Sequence, residues 1–171
     1  MIFILRLIVG IVFLAIAARQ DIKTREVYDR VWKLMLLFAA IILVIEINLF
    51  KGYERETIIL ELFFMSMLML MGYVLFAVFN RVQEGAFGGA DAKAFMCIAV
   101  LFPYPLVFGM LPLSFLTIIW GELFAFAFYF PRALKLPRER WNEITFPLIP
   151  FLLIGLLMSA LIYYIEQSMV I

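Results

Sequence analysis

Two short stretches hold the residues that could do chemistry. In Phe87-Gly88-Gly89-Ala90-Asp91-Ala92-Lys93 a carboxylate stands behind three small residues and opens an apolar segment. In Asp21-Ile22-Lys23 another carboxylate follows the first apolar run. Two carboxylates a few ångströms apart cannot both ionise cheaply, so they share a proton. The deprotonated member can take a proton from water while the protonated one hydrogen-bonds a carbonyl oxygen as charge develops there. That is the chemistry of amide hydrolysis. Such a pair titrates as a unit, so sequence does not say which aspartate starts protonated.

Each aspartate also has a plainer reading. Asp91 makes a good N-cap and suits the positive end of a helix dipole. Capping does not explain Gly88, Gly89 and Ala90, which strip away bulk so that another backbone can approach the carboxylate. Asp21 is expected just past the C-terminal end of its helix, where the dipole disfavours negative charge. It reads either as a solvated loop residue beside Arg19, Lys23 and Arg25 or as the partner of Asp91. Lys23 and Lys93 stand two residues beyond each acid, to tune the site or to grip lipid phosphate, with the lipid-facing role favoured.

The elements that must position these residues lie in a membrane. Of the 171 residues, 67% are hydrophobic, and mean hydropathy is +1.09. No soluble core buries that much apolar surface. Histidine is absent, which excludes His-based zinc sites, Ser-His and Cys-His dyads and a histidine base. Ser66, Ser114, Ser159 and Ser168 have no lysine at helical spacing on their own segments, which argues against a Ser-Lys pair. The lone Cys97 lies inside an apolar run and reads as a small core residue, so there is no disulfide framework. No phosphate loop, nucleic-acid stripe or metal cluster is visible, and no cofactor is implied.

Read in order, the chain predicts six apolar spans in one all-α domain covering 1–171, with no soluble domain. They fall at 2–18, 31–50, 58–79, 91–109, 111–130 and 147–165. The turn 51–56, the glycine-containing loop 80–90 and the charged loop 131–145 join some of them. Pro103 and Pro105 predict a kinked or short fourth helix. Ala15-Ile16-Ala17 resembles a signal-peptidase site, but the positive charge clusters after the run, so a retained first helix is expected. Eleven of the fourteen basic residues fall on one side of this layout, which predicts that side to be cytoplasmic and the N-terminus outside. Asp21 and Asp91 then share the cytoplasmic boundary. The recurrence of Asp-x-Lys at both sites is short, and no convincing internal repeat is seen.

At these residues the chain resembles the prepilin peptidase family of membrane aspartyl proteases, especially its small archaeal members that process preflagellins and archaeal prepilins. The resemblance rests on an Asp-x-Lys-type segment after the first helix, a Gly-x-Gly-Asp-type segment opening the fourth, and the six-span layout. It implies that Asp21 and Asp91 are the catalytic pair, with Gly88 as the first motif glycine. Ala90 stands where the pattern has glycine, and Val27-Tyr28 stands where Ile-Pro is frequent. The cysteine-rich insertion of many methylating bacterial relatives has no counterpart, which implies peptidase activity without methyl transfer. The implied substrate is the short basic leader of a type IV pilin-like or archaellin precursor, cut on the cytoplasmic side. Glu26, Asp29, Glu84, Glu139 and Glu143 read either as receivers of the basic leader or as solvated loop charge.

Glu122, in Trp120-Gly121-Glu122-Leu123, is expected about 13 Å inside the fifth span. A carboxyl there is functional by default, with a direct role in substrate binding or the catalytic environment; the alternative is an interhelical hydrogen bond. Glu46, Glu61 and Glu166 are expected to reach the interface from the span ends. The rival reading from another class is a small cation or proton transporter or channel subunit using Asp21, Asp91 and Glu122. Its site should lie near the midplane at broken helices. A non-enzymatic assembly component would need neither acid.

Overall fold

The computed structural model describes residues 2–49, 89–102, 113–135 and 147–169, with isolated positions at 56, 59, 63 and 74. The expected third span at 58–79 lies outside the described residues except at three of those positions. So do Gly88, Pro103, Pro105, Glu61, Glu84, Glu139, Glu143 and most of the loop 131–145. Among the described residues there are five helices and no strand: α1 (Ile2–Thr24), α2 (Asp29–Leu49), α3 (Gly89–Leu101), α4 (Leu113–Ala133) and α5 (Ile149–Met169). Four of them, α1, α2, α4 and α5, are long and apolar enough to cross a membrane.

The burial pattern fits a lipid solvent. In α1 the buried stripe is Arg6, Gly10, Leu14, Ala17, Ala18 and Asp21, which recurs at helical spacing. Ile4, Ile8, Val12 and Ile16 face outward instead, as do Val44, Phe126 and Leu161 on other helices. Both charges of the buried stripe, Arg6 and Asp21, therefore point into the protein while aliphatic side chains coat the outside. Lipid imposes this arrangement, because a charge facing hydrocarbon is costly.

Helix α1 runs on past its apolar part, 2–18, so Asp21 lies within the last turn rather than beyond the helix. Gln20, Asp21 and Lys23 carry no strong helix-breaking chemistry, and the end is set by Arg25, whose φ is 59°. Its N–H donates to the Asp21 carbonyl at 3.0 Å, and the Thr24 hydroxyl donates to the carbonyls of Gln20 (3.0 Å) and Glu26 (2.9 Å). The Gln20 side chain then accepts from the Tyr28 N–H at 3.1 Å, which turns the chain tightly into α2.

Helix α4 also outruns its expected end. It continues through Pro131 to Ala133, where a loop is expected from 131. A proline in the last turns removes one N–H, and the chain recovers with bonds from Leu134 to Phe130 and Lys135 to Arg132. Packing is closest between α4 and α5, whose glycines face each other; α1 lies against α5 and α2, and α3 sits on α2 with contacts to α4 and α1. Leu14, Met35, Ile98, Phe102, Leu152 and Leu156 fill the shared core.

Candidate active site

Asp91 and Asp21 are delivered to the same end of the bundle by two antiparallel helices. Asp91 lies in the first turn of α3, ahead of its apolar part, and Asp21 in the last turn of α1, beyond its apolar run. The antiparallel sense is fixed at the other end, where Arg6 of α1 donates to the Leu101 carbonyl that closes α3. Asp91 is not the cap of its helix, because Gly89 and Ala90 are themselves helical. Its carboxyl still gains from the positive end of the dipole. Among the described non-glycine residues only Arg25 has a positive φ, so Ala90 is in an ordinary helical conformation. Alanine at that position therefore carries no backbone strain, and it is the best helix former.

The two carboxyls sense each other. Burial, and then the charge of Asp21, push the Asp91 carboxyl up to about 7. Burial also raises Asp21, which is only 7% exposed. A hydrogen bond from the Ile149 backbone N–H and the positive charge of Arg25 pull it the other way. Oδ2 of Asp21 is buried and, among the described residues, meets no hydrogen-bond partner. Ile149 opens α5, and its N–H is among those a helix start leaves unpaired. Three helices thus converge on this carboxylate. Nothing in the local sequence of Asp21 signals the contribution of Ile149; it follows from how α5 packs on α1.

The other expected site residues divide. Lys93 donates to Oδ1 of Asp29 at 2.5 Å, so it ties the polar end of α3 to the start of α2. Lys23 is exposed, Gly89 and Ala90 form the first turn of α3, and Gly88 lies outside the described residues. Glu122 sits midway along α4 and is exposed. Glu46 and Glu166 do not reach the interface: both are buried, and Glu46 pairs with Arg6. Opposite charges on neighbouring spans at matching height were the signal for that pair. Among the described residues no group of three or more acidic, cysteine or histidine side chains could hold a metal ion.

Neither a curated protein nor a solved structure matches this chain. A model of the type IV leader peptidase family does match, over residues 8–129, a stretch that contains both aspartates and all of α2 and α3. Because that match spans well over half of the 171 residues and the helices are those of a membrane protein, the chain belongs to the type IV leader peptidase family, a family of proteases.

Proposed function

We propose that this protein is an aspartic-type endopeptidase that removes the basic leader of type IV pilin-like or archaellin precursors at the cytoplasmic face of the cell membrane. It does so without a cofactor and without methyl transfer. The observation that carries the reading is that the charge of Asp21 reaches Asp91, with the two acids at one end of α1 and α3 and Oδ2 of Asp21 buried. The full chain crosses six times, with the N-terminus outside and its basic loops in the cytoplasm. The hydrophobic helix of the precursor lies in the bilayer, which brings its leader junction to the depth of the pair.

Near neutral pH the pair carries one proton, held chiefly by Asp91, whose carboxyl is the more strongly raised. Asp21 is the base, kept partly ionised by the Ile149 N–H and Arg25. It takes a proton from water, and the water oxygen attacks the peptide carbonyl carbon. Asp91 gives its proton to the carbonyl oxygen, so the tetrahedral intermediate forms without an exposed oxyanion. On collapse Asp21 passes its proton to the amide nitrogen, the C–N bond breaks, and Asp91 recovers its proton from the diol. The pair ends as it began. Lys23, Lys93 and Glu122 stand as supporting residues at the lipid surface and along the substrate path.

A transporter would need its carboxyls near the midplane, and these two acids lie at helix ends. The test is co-expression with a leader-bearing precursor, scored by loss of the leader on a gel. Either Asp21→Asn or Asp91→Asn should stop processing while the protein still inserts. Continued cutting by both single variants would end this reading.

A further inference from the structure

The most deeply buried charge in the described structure serves no step of that chemistry. Arg6 is 0% exposed, on α1 at the end remote from the aspartates. One arm of its guanidinium donates to the last carbonyls of α3, Leu101 at 2.9 Å and Val100 at 3.3 Å. The other arm pairs with Glu46 of α2, itself only 5% exposed. These carbonyls are of the kind a helix leaves unpaired at its C-terminus, where the dipole welcomes a cation. The planar fork directs one arm at a carboxylate and the other at two carbonyls in fixed directions, whereas the donors of a lysine radiate from a single rotatable nitrogen. Burying an ion pair is expensive, and apolar residues of similar size commonly pack as well or better. Its use therefore lies in what it fixes.

What it fixes is the relation between the two helices that carry the aspartates. Arg6 and Asp21 lie on α1, roughly 22 Å apart along the axis, and Leu101 and Asp91 lie on α3, roughly 15 Å apart. Helix α1 touches α3 less extensively than it touches α2 or α5, so apolar packing alone defines their relative height weakly. A helix is stiff along its axis, so a tie at one end sets the height of the other.

We propose that Arg6, held by Glu46, is a positioning residue that fixes the axial height of α3 against α1 and so sets where Asp91 meets Asp21. The inference rests on the aspartyl-peptidase reading above. It predicts that loss of the tie slows the chemical step and leaves substrate binding intact. It also predicts a movement in the pH profile. Asp91 is raised partly by the charge of Asp21, so drawing the acids apart lets its pKa fall. The protonated form is then lost at lower pH, and the alkaline limb of kcat/KM moves down.

The experiment measures kcat, KM, pH profile and thermal stability of the full chain in detergent with a leader-bearing precursor. The variants are Arg6→Met/Glu46→Leu, which removes both charges together, and Arg6→Lys, which keeps the charge but loses the fork. The double variant should unfold near the wild-type temperature, with kcat about ten- to a hundredfold lower, KM nearly unchanged and the alkaline limb shifted to lower pH. Arg6→Lys should fall between it and wild type. A wild-type kcat and pH profile in the double variant would overturn the proposal. If the double variant does not insert, Arg6→Lys decides on the same two readouts. Wild-type protein that cuts nothing would instead remove the peptidase reading, so the two failures are distinct.

Discussion

The charge of Asp21 reaches Asp91 across the α1–α3 interface and, added to burial, lifts its carboxyl to about 7. This coupling sets the pH range in which the pair can work. Below the lower pKa of the pair both acids are protonated and no base remains. Above about 7 Asp91 loses its proton and no acid remains. The rate of leader removal should therefore be bell-shaped, with its alkaline limb near the value for Asp91. A pH–rate profile that stays flat to pH 9 would exclude a protonated Asp91 from the mechanism.

The same carboxyl should leave a mark on stability. Its folded-state pKa lies above the ordinary 3.8, so the native state binds a proton that the unfolded state has released. The stability this provides is complete below about 3.8, declines as pH rises, and is gone above about 7. Asp91→Asn removes the ionisable group, so above pH 7 the variant should be more stable than wild type, by an amount on the order of 1–4 kcal/mol. Near pH 4 the two should converge. Thermal unfolding in detergent at the two pH values measures the difference; an equal gap at both would show that the shift has another origin. In the processing assay the same variant should lose about 10²–10⁴ of its rate, as should Asp21→Asn.

How much of this could be read from the chain depends on which forces are local. Four of the described helices follow from apolar runs, because length and hydropathy decide a span without knowledge of its neighbours. Small residues and charge asymmetry lead to the expectation that the two aspartates share one boundary, and the structure has the charge of Asp21 reaching Asp91. The end of α1 was not legible. Apolar periodicity stops at Ala18, whereas the helix stops where Arg25 takes a left-handed conformation, and no sequence rule places an arginine there. The expectation that Glu46 reaches the interface fails for a related reason. Residues near span ends reach the interface only if neighbouring helices leave the path open, and here α1, α2 and α3 enclose both groups. The Ile149 contribution to Asp21 depends on packing alone.

Arg25 joins backbone strain to the electrostatics of the site. At a φ of 59° glycine would be at ease, while an L side chain carries a penalty of roughly 1–2 kcal/mol. The arginine also holds down the pKa of Asp21, against burial. Arg25→Gly should separate the two effects. Relief of strain should raise or preserve the unfolding temperature, and loss of the positive charge should raise the Asp21 pKa. The acid limb of the pH–rate profile would then move to higher pH. Arg25→Lys keeps the charge and should leave that limb in place. A limb unmoved by Arg25→Gly would mean the guanidinium charge does not reach the acid in solution.

Helix α5, which brings Ile149 to Asp21, is seated on α4 through glycine. Gly155 of α5 lies against Gly121 of α4 so closely that a Cβ on Gly155 would come within 2.7 Å of the Gly121 nitrogen and closer still to the Thr117 carbonyl oxygen. Both neighbours are backbone atoms, so no rotamer change can relieve the clash, and the helices must separate. Thr117 and Gly121 on α4, and Gly155 and Ser159 on α5, are small residues four apart, the spacing that lets membrane helices approach closely. Gly155→Ala should therefore destabilise the fold by about 1–3 kcal/mol, and Gly155→Leu by more. The functional consequence follows from the geometry of α5. The Ile149 N–H at its start reaches Asp21, so displacing the helix weakens the hydrogen bond that holds that carboxyl down. The acid limb should then rise in Gly155→Ala at temperatures where the protein remains folded. An alanine variant with wild-type melting temperature and acid limb would show that α4 and α5 part without disturbing the site.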